Sequence, residues 1–184
     1  MLSTVPVNAD GLCLLPFGNG AERMLGNKAI GARMLNLNFN RHGKAHMYRA
    51  ALEGIAYAFA YGIRMMQDMG MSLDTIKVGN DNLFQSEVFS TTLASVLNCK
   101  IEMLEVTGAV GAARASAVGA VTVNSLEEAM SRQKLIRTFE AASDRTSYKS
   151  GFHSWKSELL KLLNWKENNQ VNDHEHSYWR ETIL

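Results

Sequence analysis

Little in these 184 residues speaks for a metal, a membrane or a nucleic acid. Two cysteines, Cys13 and Cys99, are too few for a disulfide framework and lack metal-ligand spacing. They read as reduced residues of core or strand. A net charge of +1, with no basic run interleaved with aromatics, excludes an obvious nucleic-acid partner or affinity for an anionic membrane surface. The opening "MLSTVPVNADG" has neither a basic leader nor a long apolar stretch behind it. The longest weakly polar run, "GAVGAARASAVGAVTV" (108–123), is interrupted by Arg114 and built of small residues, so it is no membrane span. A cytoplasmic protein is expected. No internal repeat is visible. What is present is ordinary: 46% hydrophobic and 20% charged residues, about one globular domain's worth of chain.

Patterning then suggests an α/β fold. "LCLL" (12–15) reads as a buried strand, stopped by Pro16 and the turn "GNG" (18–20), and "ARMLNL" (32–37) as a second extended piece. Leu52, Ile55, Phe59, Ile63 and Met66 step by three or four through a helix over 44–69. Ala50, Ala51, Ala56 and Ala58 thin its surface for close packing, and Gly70 is placed to end it. "TIKV" (75–78) and "KIEML" (100–104) read as strands flanking a helix over 87–97, with Phe84, Val88, Val96 and Leu97 on one face. "GAVGAARASAVGA" (108–120) reads as a third helix. Strand and helix alternating with short connections imply parallel strands 75–78 and 100–104 packed with helices. Ser125 and Glu128 form a capping box for a short helix near 126–132. A last amphipathic helix carries Phe152, Trp155, Leu159 and Leu162, and residues 166–184 read as a polar, mobile tail. So many helices over two clear strands make a poor core. The chain reads as a piece whose uncovered apolar surface favours association, including a homo-oligomer.

The junction "VGNDNLFQSEVF" (78–89) is the chemical focus. Strand-turn-helix junctions often hold phosphate, because free N–H groups point at the anion. Glycines usually dominate such turns, and here Gly79 stands alone. Asn80, Asp81 and Asn82 are equally good turn formers, and Ser86 is a good N-cap. Other groups carry less. His42 and His46 are four apart, but no glutamate follows His42 and no third ligand is evident, so packing roles are expected. "DHEH" (173–176) lies in the polar tail, Glu22 and Arg23 are expected to pair, and Met65, Met66, Met69 and Met71 read as core filler.

Several motifs, in order, resemble the FGGY family of carbohydrate kinases. "LLPFGNGAER" (14–23) is similar to its "LPYLSGER" stretch, and "ARMLNLNFNRHGKAHMYRAALEG" (32–54) to its C-terminal motif. There Ala32, Met34, Leu37, His46, Met47, Ala50, Leu52 and Glu53 fit, and Asn36 replaces a glycine. "TGAVGAARASAVGA" (107–120) resembles the family's small-residue helix, and Tyr148, Phe152 and Trp155 its closing helix.

The resemblance implies an actin-like ATPase (ribonuclease-H-like) fold closing over a sugar, ATP and magnesium, with the γ-phosphoryl group passing to a sugar hydroxyl. It implies that residues 1–165 are the C-terminal kinase domain without its first strands. The catalytic base and most sugar contacts belong to an N-terminal kinase domain not found here, so no catalytic residue is assigned and the chain alone is expected to be inactive. A gap-free match through "LASVLN" (93–98) places the family's three turn glycines on Asp81, Asn82 and Leu83, and its nucleoside-side Ser/Asn on Ser86. The nucleotide-contacting residues implied are therefore Gly79, Asn80, Asp81, Asn82, Ser86 and Gly108. Gly108 and Gly111 fit close helix–sheet packing equally well. Xylulose is the substrate implied; gluconate, ribulose and glycerol remain open, as does an inactive fragment acting as an interaction module.

Overall fold

The computed structural model describes residues 4–120, 125, 128 and 133–181, with 165–181 as backbone alone. Its longest early element, α1 (Lys44–Asp68), buries a face of small residues: Ala50, Gly54, Ala56, Ala58 and Ala60, with Tyr57 among them. Little side-chain volume on that face brings the axis close to its neighbours. One neighbour is β1 (Cys13–Leu15), and a Cβ at Gly54 would overlap the Leu14 carbonyl oxygen. The same oxygen accepts the indole N–H of Trp155 at 2.9 Å. β1 pairs antiparallel with β4 (Arg33–Leu35), while β2 (Ala21–Glu22) and β3 (Lys28–Ala29) make a small hairpin between them.

Beyond Gly70, whose φ of 97° ends the helix as expected, the chain enters the main sheet. β5 (Thr75–Gly79) and β6 (Lys100–Leu104) run parallel, with Ile76 opposite Ile101 and Val78 opposite Met103. α2 (Glu87–Leu97) makes the crossover and ends at Asn98, which takes the left-handed conformation at φ 58°. Phe89 and Leu93 of α2 and Ile101 of β6 are buried together. After α3 (Gly108–Gly119), β7 (Leu135–Phe139) pairs antiparallel with β6, so the sheet order is β5-β6-β7. The closing helix, α4 (Thr146–Glu181), buries Phe152, Trp155 and Leu159 against β1 and α1, and its helical backbone continues through the polar stretch after Trp165. Ser125 Oγ accepts from the Glu128 N–H at 3.1 Å, as the capping box requires. The rest of the expected helix at 126–132 lies outside the described residues.

One expectation needs correction. The sheet has a third strand, β7, which patterning missed because its apolar residues do not alternate: Leu135 and Ile136 are both exposed, and Phe139 alone is buried. The apolar stripe of α1 is only partly covered, in line with the uncovered apolar surface expected: Leu52, Ile55 and Ile63 are half-buried against the core, while Phe59 is 46% and Met66 37% exposed.

Candidate functional site

Gly79 ends β5 hard against the loop after β6. A Cβ there would lie 2.5 Å from the Val106 carbonyl oxygen, so only glycine lets the two segments meet. The next N–H, that of Asn80, is shared between Leu104 O at 3.1 Å and Val106 O at 3.2 Å. It faces the loop 104–106 and is not offered to a ligand. Asn80 O in turn accepts from Gln85 Nε2 at 3.1 Å, which closes the turn on itself.

Asp81 is extended at φ −145° and precedes a 3-10 turn over Asn82–Gln85, to which its side chain makes no capping hydrogen bond. Asn82 takes φ 52°, the left-handed region that a non-glycine residue enters most readily when it is asparagine or aspartate. One of the three aligned glycine positions therefore keeps a glycine-like backbone without a glycine. Asn36, outside this turn but also standing where the resemblance expects glycine, behaves alike at φ 63°.

Ser86 opens α2. Its Oγ accepts from the Phe89 N–H at 3.4 Å, and its own N–H donates to Leu83 O at 2.9 Å. Ser90 Oγ–H donates to Phe84 O at 2.8 Å, and the Phe84 ring meets Phe89 and Phe59 edge-on at 5.2 and 6.3 Å. The turn is thus anchored beneath by an aromatic cluster and open above.

The second wall is the start of α3. Thr107 is its N-cap, Oγ1 accepting from the Val110 N–H at 3.5 Å. A Cβ at Gly108 or Gly111 would meet nothing within 4 Å, and no residue of α3 is buried. Close helix–sheet packing therefore does not account for these glycines. The Asn80 hydrogen bond to Val106 brings this helix end beside the turn, so Gly79, Asn80 and Gly108 are gathered from separate elements. Thr107 escaped the site prediction, although a threonine ahead of a run of small residues is a recognisable helix start.

Residues 79–86 and 107–113 contain no lysine or arginine, so attraction for an anion there comes from backbone N–H groups and helix ends. The α3 end suits an anion better than the α2 end, whose first turn carries Glu87. Asp81 is the carboxylate in the turn itself.

The remaining candidates are structural. Glu53, a residue of the recognised motif, is 2% exposed; its Oε1 accepts from Arg49 Nε at 2.8 Å and from the Asn8 N–H at 3.1 Å. Arg49 Nη1 donates to Val5 O at 2.8 Å, so the pair ties the first residues to α1. Burial pushes the Glu53 carboxyl up, and the charge of Arg49 opposes that. His42 lies before α1, where Nδ1 accepts from the Asn38 N–H at 3.1 Å. His46 meets Asp10 at 3.1 Å and accepts from the Gly43 N–H at 3.3 Å. Both histidines hold the entry to α1, and no cluster of three metal-ligating side chains occurs among the described residues.

Comparison with known proteins agrees with this architecture. The model of the C-terminal domain of the FGGY family of carbohydrate kinases matches residues 3–120. A xylulose kinase of Bacillus subtilis is 25% identical over 165 residues, which span 85% of this chain and 32% of that protein. The structure of a Rhodospirillum rubrum xylulose kinase superposes with a TM-score of 0.71 at 22% identity, covering 89% of this chain and 33% of that one. Plasmodium falciparum glycerol kinase with ADP gives a TM-score of 0.69 at 21% identity, covering 88% and 32%. The fold is accordingly part of an actin-like ATPase domain, and the chain spans about a third of the length of these relatives.

Proposed function

Since the chain belongs to the FGGY family of carbohydrate kinases, whose C-terminal domain it carries, we propose that it is the nucleotide-binding portion of an ATP-dependent kinase of xylulose or a related sugar. The observation that carries this reading is the pairing of two open features at one place. The turn with Asn82 in a left-handed conformation lies beside the exposed, glycine-led start of α3.

In such a kinase ATP supplies the phosphoryl group, and magnesium offsets its charge. This chain's part is to hold the phosphates at the Gly108 end of α3, where first-turn N–H groups point outward. The nucleoside then lies over the turn toward Ser86. Asn80 contributes by fixing the loop 104–106, since its N–H is already committed. Asp81 is the one carboxylate of residues 79–86, and beside the phosphates it would act against them, so the magnesium that offsets their charge would be held by the phosphates and the remainder of the kinase. The base that accepts the hydroxyl proton and the sugar pocket lie in the remainder of the kinase, which also closes over the phosphates.

Asp81→Gly tests the reading. The aspartate makes no capping hydrogen bond, so its removal spares the fold. One negative charge about 4 Å from a phosphate costs about 1 kcal/mol even in water, which is about a fivefold loss of affinity. Calorimetry is expected to show millimolar ATP binding that tightens about fivefold in the variant. Binding by neither protein at millimolar ATP overturns the proposal. That same aspartate favours a second reading, an inactive fragment that acts through association. A neighbouring reading frame encoding the domain with the catalytic aspartate supports the kinase, and its absence supports the fragment.

A further inference from the structure

A cavity of about 540 Å³ lies where the start of α4 meets β1 and the first half of α1, and none of residues 79–86 or 107–111 lines it. Its buried lining is apolar, with Leu12, Ala50 and Trp155. Its exposed lining is polar, with Asn36, Ser154 and Ser157. Such a volume falls within the range of about 300–1,000 Å³ found for small-molecule pockets.

Tyr57 also lines the cavity. The residue is 3% exposed, yet its hydroxyl finds no hydrogen-bond partner among the described residues. Buried hydroxyls normally have one. A Cβ at Gly151 of α4 would overlap this hydroxyl and lie 3.0 Å from Asn8 Oδ1, so glycine keeps open a small space flanked by both atoms. Burial, reinforced by the charge of Glu53, raises the pKa of the phenol, which stays a neutral donor. A ligand hydroxyl can accept from that phenol and donate to the Asn8 amide oxygen at once. Charge narrows the ligand further. Glu53 is met by Arg49 Nε at 2.8 Å and Glu158 by Lys161 Nζ at 2.6 Å, and the described lining holds no other lysine or arginine. An anion would enter beside two carboxylates with no unpaired cation to receive it.

We propose that this cavity binds a small uncharged polyol, anchored inside by the Tyr57 hydroxyl and Asn8 and held at the mouth by the hydroxyls of Ser154 and Ser157. The apolar floor takes the carbon chain, and the donors and acceptors around it take the hydroxyls. The inference does not depend on the nucleotide reading, because it uses neither the turn after β5 nor the start of α3.

The test titrates xylitol, an uncharged five-carbon polyol, into the purified chain and follows the amides by NMR. Saturating shifts at Asn8, Glu53 and residues 151–157 are expected in the millimolar range, with residues 79–86 unmoved. Tyr57→Phe removes the hydroxyl and keeps the ring. It should weaken xylitol at least tenfold and, because the hydroxyl has no partner in the free chain, leave Tm unchanged or raised. Ser154→Trp, at an exposed position of the lining, should block entry while leaving every buried residue in place. Tyr48→Phe, 63% exposed on α1, should change nothing. Xylitol 5-phosphate should bind at least tenfold more weakly than xylitol. The inference falls if xylitol gives no saturating shifts, the cavity then holding water only, or if the Tyr57 and Ser154 variants bind as the parent does. It also falls if the phosphate binds as tightly as xylitol, or if Tyr57→Phe melts lower without ligand, since the hydroxyl is then already bonded. ATP shifts at the turn without xylitol shifts would sink this inference alone; the reverse would sink the nucleotide reading alone.

Discussion

Two glycines of α1 face different neighbours, and replacing each by alanine should move stability in opposite directions. In a helix interior alanine is favoured over glycine by about 1 kcal/mol, so both changes begin with the same gain. At Gly62 the added Cβ would find Met24 Sδ at 3.5 Å, an ordinary contact with the flexible end of a side chain. The gain should survive. At Gly54 the Cβ would run into the carbonyl oxygen of Leu14, which cannot swing away. That oxygen belongs to β1, a strand paired with β4, and accepts the Trp155 indole N–H. Relief requires β1 to lift from α1, at an overpacking cost of about 1–3 kcal/mol. The Trp155 hydrogen bond, worth about 1 kcal/mol, is strained with it. The balance is a loss of about 1–3 kcal/mol for Gly54→Ala and a gain of about 0.5–1 kcal/mol for Gly62→Ala. For a chain of this size each kcal/mol moves Tm by about 2–4 °C. Thermal melts followed by circular dichroism should therefore show a drop of about 2–12 °C for the first and a rise of about 1–4 °C for the second. Two shifts of the same sign would refute the claim that close approach of β1 dictates glycine at 54.

Cysteine chemistry supplies another test: burial, reinforced by Glu158, pushes the Cys13 thiol up to about 11. Two units above an ordinary thiol means about a hundredfold less thiolate at pH 8, so alkylation followed by mass spectrometry should be slow there and accelerate with pH until near 11. Rapid labelling of Cys13 at pH 7 would contradict the burial seen here. On the proposed reading, which puts the base and the sugar pocket in the remainder of the kinase, the isolated chain should form no ADP in response to D-xylulose in a coupled assay. Sugar-dependent turnover well above buffer would show that the chain holds more of the machinery than its fold suggests.

The local grammar of the fold is legible in the sequence wherever short-range physics decides it. The β5-α2-β6-α3 run follows from apolar runs, the Ser86 cap and short connections, and its observed limits differ from the expected ones by a residue at most. Asn36 and Asn82 could be placed against glycines because asparagine is the natural substitute at positive φ. The α1 stripe was legible, but its degree of cover was not. Periodicity shows which face is apolar, but not whether its partner is present, and here the smaller face found neighbours first. β7 left no such trace, because an edge strand exposed along Leu135 and Ile136 needs no alternation. In the candidate site, the turn itself could be read from its residues, whereas the commitment of the Asn80 N–H could not. That bond depends on where residues 104–106 arrive in space, a placement no local pattern encodes.

The position of the nucleotide is the central claim, and an ATP titration of the chain by amide NMR addresses it most directly. The N–H groups of Gly108 and Ala109 at the start of α3 should shift progressively at millimolar ATP, together with those of Asp81 and Asn82. The Asn80 amide should shift least among its neighbours, since its hydrogen is held by Leu104 and Val106 throughout. Asp81→Gly should strengthen the same pattern without relocating it. Shifts confined to α1 or α4, or no shifts at all in either protein, would mean that the turn after β5 is only a turn.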